Sequence, residues 1–130
     1  GPGGVGKENC ITGSPVFYAG GGGGGKYPMT AIVPGGNGGG GVGSAQTIPA
    51  LPTQNGSANT GGGGGGGTES PTFSPVYPTA DSPGGNGGSG VVIIRAPSAF
   101  PMSVSPCTNT VSTTPGGCKV ATFTVTGTLN

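Results

Sequence analysis

Few groups in this chain could do acid–base, nucleophilic or metal chemistry. They are the bases Lys7, Lys26, Arg95 and Lys119, the acids Glu8, Glu69 and Asp81, and three cysteines. There is no histidine. The acids are far apart in sequence, and the many Ser and Thr hydroxyls have no evident base beside them, which nucleophilic catalysis requires. No catalytic residue is predicted, and the chain is not expected to be an enzyme. Without His or a Cys-x-x-Cys pair, no metal site is predicted either, and no cofactor. Cys107 and Cys118 bracket a short loop and are expected to form a disulfide, worth about 3 kcal/mol in the chain-entropy model. Cys10 is left to pair between chains or to stay free. A disulfide suits an extracellular setting.

One motif imitates a phosphate site. Residues 20–25 are all glycine and are followed by Lys26, which fits the first positions of a phosphate-binding loop. That chemistry needs Ser or Thr next, to hold magnesium, and a helix whose N-terminus faces the phosphates. Tyr27 and Pro28 stand there instead. In so glycine-rich a chain the match is a chance one.

What remains is scaffold. Of 130 residues, 34 are glycine and 14 proline, while only four are basic and three acidic, for a net charge of +1. Such a glycine and proline content usually signals low complexity. Disordered chains, however, are held open by charge, which this one lacks. It must pack or assemble. Four scattered basic residues leave no nucleic-acid footprint, and no apolar run approaches membrane-spanning length. Opening without Met in the middle of a glycine pattern, the chain reads as a segment of a longer precursor.

The glycine runs 20–25, 61–67 and 84–90 alternate with side-chain-rich loops, and the last leads into the apolar strand 91–95. Glycine and proline are the poorest helix formers, so no helix is predicted. Polyglycine-II geometry, with three residues per turn, suits the runs. Rods without Cβ atoms can approach closely and satisfy their backbone groups on one another. The predicted fold is therefore mostly irregular or all-β. It is a rod bundle with long loops over 1–95, a Pro-rich connection over 96–118, and a C-terminal strand over 119–130 that pairs with 91–95. In that last strand Ala121, Phe123, Val125 and Leu129 alternate with threonines, the period of a half-buried strand.

The aromatics carry the binding hypothesis. Tyr18 abuts a glycine run and reads as cover for a rod edge or a subunit contact. Tyr27, Phe73 and Tyr77 sit among prolines in loops. Proline lowers the cost of ordering a loop, and tyrosine supplies contact area with little entropy loss. These three are candidate surface-binding residues, with burial between subunits as the equal alternative.

The order of blocks resembles a known family. Ile11-Thr12-Gly13-Ser14, then Tyr18-Ala19-Gly20 with its glycines, then Asn59-Thr60-Gly61 with its glycines, and finally Gly87-Gly88-Ser89-Gly90-Val91-Val92-Ile93-Ile94-Arg95 resemble the glycine-rich domain of bacteriophage and other viral structural proteins, tail fibres above all. The closing segment 119–129 is similar too. The resemblance implies a structural protein at the virion surface or another extracellular site. Related adhesins carry a polyglycine-II sandwich whose loops bind a host cell-surface glycan or protein. Ala96 stands where an aromatic commonly follows the arginine, and the two cysteines of the connection are foreign to the pattern. The loops expected to bind are 26–34, 42–59 and 68–83. A small apolar stock predicts a homo-oligomer; the resemblance implies a trimer, with a helical stack as the alternative. A self-assembling extracellular filament subunit is the alternative function. An ice-binding protein ranks below it, because strict Gly-x-x periodicity is absent from 42–60 and 68–83.

Overall fold

The computed structural model describes residues 1–25, 31–45, 54–68 and 82–130. The chain forms two compact units, Gly1–Lys7 with Phe17–Ser89, and Glu8–Val16 with Gly90–Asn130. The described residues hold no α-helix, as the composition predicts, and so none long and apolar enough to cross a membrane.

The first unit is built from backbone. Its backbone segments are rod 1 (residues 1–6), rod 2 (20–25), rod 3 (33–37), rod 4 (40–45), rod 5 (54–57), rod 6 (61–68) and rod 7 (82–89). Their hydrogen bonds recur every third residue. The amides of Gly20 and Gly23 donate to the carbonyls of Gly38 and Gly41. Gly41 and Ser44 donate to Gly63 and Gly66, and these two donate to Gly20 and Gly23, all at 2.8–3.0 Å. A β-ladder repeats every second residue. A repeat of three means that residues three apart face the same neighbour, as in polyglycine II.

Rods 2, 4 and 6 therefore run parallel, each donating to the next around a closed ring. The remaining rods surround them in the opposite sense. Gly21 and Gly24 donate to Gly4 and Gly1 of rod 1, while Gly85 and Gly88 of rod 7 donate to Gly65 and Gly62. Rods 1 and 3 run together, joined from Gly3 to Pro34 and from Gly6 to Asn37. Rod 5 takes the amide of Gly65 on the Gln54 carbonyl and gives those of Gly56 and Ser57 to Asn86 and Gly39.

This packing explains where side chains are allowed. A Cβ on Gly22 would collide with Gly64 O, one on Gly64 with Gly85 O, and one on Gly65 with Val42 O. Rods 2 and 6, enclosed by neighbours, are glycine from 20 to 25 and from 61 to 67. The outer rods carry a side chain at every third position: Pro2 and Val5, Pro34 and Asn37, and Pro83, Asn86 and Ser89. All of these are exposed. Between rods 3 and 4 the chain reverses through Gly38 and Gly39, at φ +101° and +90°, a turn that side chains other than glycine resist.

The second unit contains the three-stranded antiparallel sheet. Strand β3 (Val92–Ala96) and β5 (Thr110–Thr113) flank the central β6 (Lys119–Phe123). A separate pair joins β4 (Val104–Ser105) to β7 (Thr128–Leu129). Earlier in the chain, β1 (Lys7–Asn9) and β2 (Val16–Tyr18) form another two-stranded sheet.

The expected strand at 91–95 is observed one residue later, and it pairs with β6 as Ile94 opposite Ala121. The C-terminal segment is not one strand. β6 stops at Phe123 because Asn109 Oδ1 accepts the amides of Thr124 and Val125, at 3.1 and 3.3 Å, and so draws the backbone out of the ladder. β6 is also buried on both faces at its centre, with Val120 and Ala121 at 1% and 0% exposure, rather than on one. The connection over 96–118 contributes β4 and β5, so the sheet has a third strand. The loops are shorter than predicted, since 33–34, 42–45, 54–57 and 82–83 belong to rods.

Candidate functional site: the loop end of the rod bundle

Because rods 2, 4 and 6 are parallel, their last residues lie at one end of the bundle. The segments 26–32, 46–53 and 69–81 follow those three ends. Each returns into a rod of opposite sense, at Val33, Gln54 and Ser82.

The bases of the segments are cross-tied at this end. Val33 and Gly43 exchange backbone bonds of 3.3 and 2.8 Å. Thr68 and Ser82 exchange bonds of 3.0 and 2.9 Å. Ser44 Oγ donates to Gly66 O at 3.2 Å and lies 3.3 Å from Thr68 Oγ1. Gln54 Nε2 donates to Pro83 O at 3.1 Å. Ser44, Gln54 and Ser82, which make these ties by side chain or backbone, are deeply buried, at 0%, 3% and 8% exposure. Buried polar groups need partners, and a half-satisfied one is costly. Ser82 Oγ is buried without a hydrogen bond. At the other end rods 3 and 4, and rods 5 and 6, are joined by short turns; Thr60 Oγ1 donates to Ser57 O at 2.7 Å and Asn59 N donates to Ser89 Oγ at 2.9 Å.

The candidate binding residues Tyr27, Phe73 and Tyr77 lie outside the described residues, as do Lys26, Glu69 and Asp81. What the structure describes are their attachment points. Tyr18 is half-buried in β2. Sequence reasoning missed Ser44, Gln54, Thr68 and Ser82. For Ser44, Thr68 and Ser82 the available signal was their place at the margins of glycine stretches, where hydroxyl side chains take over from bare backbone; Gln54 had no such signal.

In the other unit the cations are engaged with backbone. Arg95 Nη1 donates to Cys10 O at 3.4 Å and Lys119 Nζ to Phe100 O at 3.0 Å. The expected Cys107–Cys118 disulfide is not formed; Cys10, Cys107 and Cys118 are free. The hairpin register explains this. Thr114 N bonds Cys118 O, and Thr110 pairs with Thr122, so Cys107 lies beyond the far end of β5. At roughly 3.3 Å per residue the intervening strand exceeds the 7 Å or so that a disulfide spans between Cα atoms.

The class defined by this architecture is a backbone-built scaffold with three of its connections rooted at one end. A family model for the glycine-rich domain matches residues 1–97, three quarters of the chain, and the protein belongs to that family. The match takes in every rod and strand β3. No curated protein and no solved structure matches the chain.

Proposed function

We propose that this protein displays loops for attachment, as the glycine-rich part of a tail fibre or adhesin at a virion surface. The rods hold 26–32, 46–53 and 69–81 on a common platform, and Tyr27, Phe73 and Tyr77 make contact with a host cell-surface glycan or protein. The observation supporting this reading is the parallel course of rods 2, 4 and 6, which gathers the three loop bases at one end. Cross-ties between those bases hold the platform whatever sequence the loops carry. That is the property a variable attachment surface needs, since binding and variation concentrate on loops set on a rigid frame.

The test replaces Tyr27, Phe73 and Tyr77 together by alanine and measures adsorption of the protein to host cells. Aromatic anchors each contribute about 2 kcal/mol or more at hot spots, so adsorption should fall more than tenfold while the circular dichroism spectrum stays unchanged. Undiminished adsorption by the triple variant would remove the proposal.

A further inference from the structure

Strand β5 ends its sheet without protection. All four of its residues are exposed, and none is charged. Thr114 N donates to Cys118 O at 2.8 Å, and the register sets Ser112 opposite Val120 and Thr110 opposite Thr122. Antiparallel pairs alternate between bonded and non-bonded. Thr110 and Ser112 therefore bond inward to β6, while Val111 and Thr113 turn their N–H and C=O groups away from it. No backbone bond to those outward groups exists among the described residues. The other edge differs. By the same alternation, Ile93 and Arg95 face outward on β3, and Arg95 places a charge there, its guanidinium on Cys10 O. Charged residues are how natural sheets keep an edge from pairing.

We propose that β5 pairs antiparallel with β5 of a second copy, about a two-fold axis at Ser112, so that the two sheets become one. The edge itself fixes the register. Pro115 has no N–H, and the amide of Asn109 is already given to Pro106 O at 3.0 Å. Between them only Val111 and Thr113 offer both groups. Setting Val111 against Thr113 of the partner subunit, and the reverse, satisfies all of them. The two Ser112 residues then form the close pair of the ladder, with Cα atoms about 4.5 Å apart, where a small side chain fits. On the other face the row Ile94–Ala121–Val111, exposed at Ile94 (37%) and Val111 (38%), meets Thr113 of the partner subunit across the axis. A second copy is favoured over a foreign strand because one register meets every outward donor with an acceptor from the same residues, with no charge to repel it. One edge accepts one partner, so this contact makes pairs rather than a trimer or a stack. It is independent of the display reading.

The experiment is analytical ultracentrifugation of the full chain with two variants. The wild type should sediment as a dimer at micromolar concentration. Ser112→Glu places two carboxylates at the axis and should weaken the dimer about a hundredfold, the effect of like charges juxtaposed in an interface. Ser112 is exposed, so the circular dichroism spectrum should not change. Ser112→Cys, with Cys10, Cys107 and Cys118 replaced by serine, should give a disulfide joining two copies through position 112 on mild oxidation. A monomeric wild type, an unchanged dimer in Ser112→Glu, or no cross-link in Ser112→Cys would each overturn the proposal.

Discussion

At the scale of single residues, glycine here is a statement about space, and the positions are not equivalent. A Cβ on Gly64 runs into the backbone of rod 7 at Gly85 O and Asn86 O, whereas one on Gly4 meets nothing within 4 Å. Backbone cannot swing aside as a long side chain can. Gly64→Val should therefore destabilise the bundle by about 3 kcal/mol or more, at the upper end of overpacking effects. Gly4→Ala should be neutral or stabilising by about 0.4–1 kcal/mol, because alanine narrows the unfolded ensemble. Thermal unfolding followed by circular dichroism separates the two outcomes; equal melting temperatures would contradict the rod packing. The thiols make a second residue-scale prediction. Cys10 and Cys107 are exposed and Cys118 half-buried, so iodoacetamide should label the first two faster in native, non-reduced protein. Mass spectrometry would read the order of labelling.

At the scale of elements, the sheet rests on one amide side chain. Asn109 is 3% exposed, accepts the amides of Thr124 and Val125, and donates Nδ2 to Ser105 O at 3.4 Å. It thereby ends β6 and ties the chain beside β4. Asn109→Ala leaves two part-buried amides short of their partner and should cost about 1–3 kcal/mol, read as a lower urea midpoint. Gly117, in the turn from β5 to β6, gives a contrasting case. Its φ is +80°, and a Cβ there would touch nothing within 4 Å. Gly117→Ala should therefore lower stability only by the conformational strain it introduces, about 1–2 kcal/mol.

What could be read from sequence follows the same division. Rods 2 and 6 were legible because close backbone contacts leave no room for a Cβ at most of their positions, and a pure run is visible by eye. Rods 1, 3 and 7 were less so. Their period of three is written in only two or three side chains each, such as Pro2 with Val5, and short samples do not stand out. Strand β5 was hidden by prolines that bound it without interrupting it. For β6, alternation suggested one buried face, but the strand buries Val120 as well as Ala121. The loop platform was half legible. The loops were, but the parallel sense of the rods beneath them lives in hydrogen-bond partners between distant segments, which no local pattern carries.

At the scale of the molecule, the closed ring of rods 2, 4 and 6 governs how order is gained and lost. Each rod donates to one neighbour and accepts from the other, and the segments concerned are separated by long stretches of chain. Any two of them leave the ring open, with amides that have no acceptor. The third rod closes it and satisfies every bond of the ring at once. Folding dominated by such distant contacts is slow, and its loss should be all-or-none. The amides of Gly20, Gly23, Gly41, Ser44, Gly63 and Gly66 should therefore exchange with deuterium at one common rate set by opening of the whole bundle, although they come from three remote parts of the sequence.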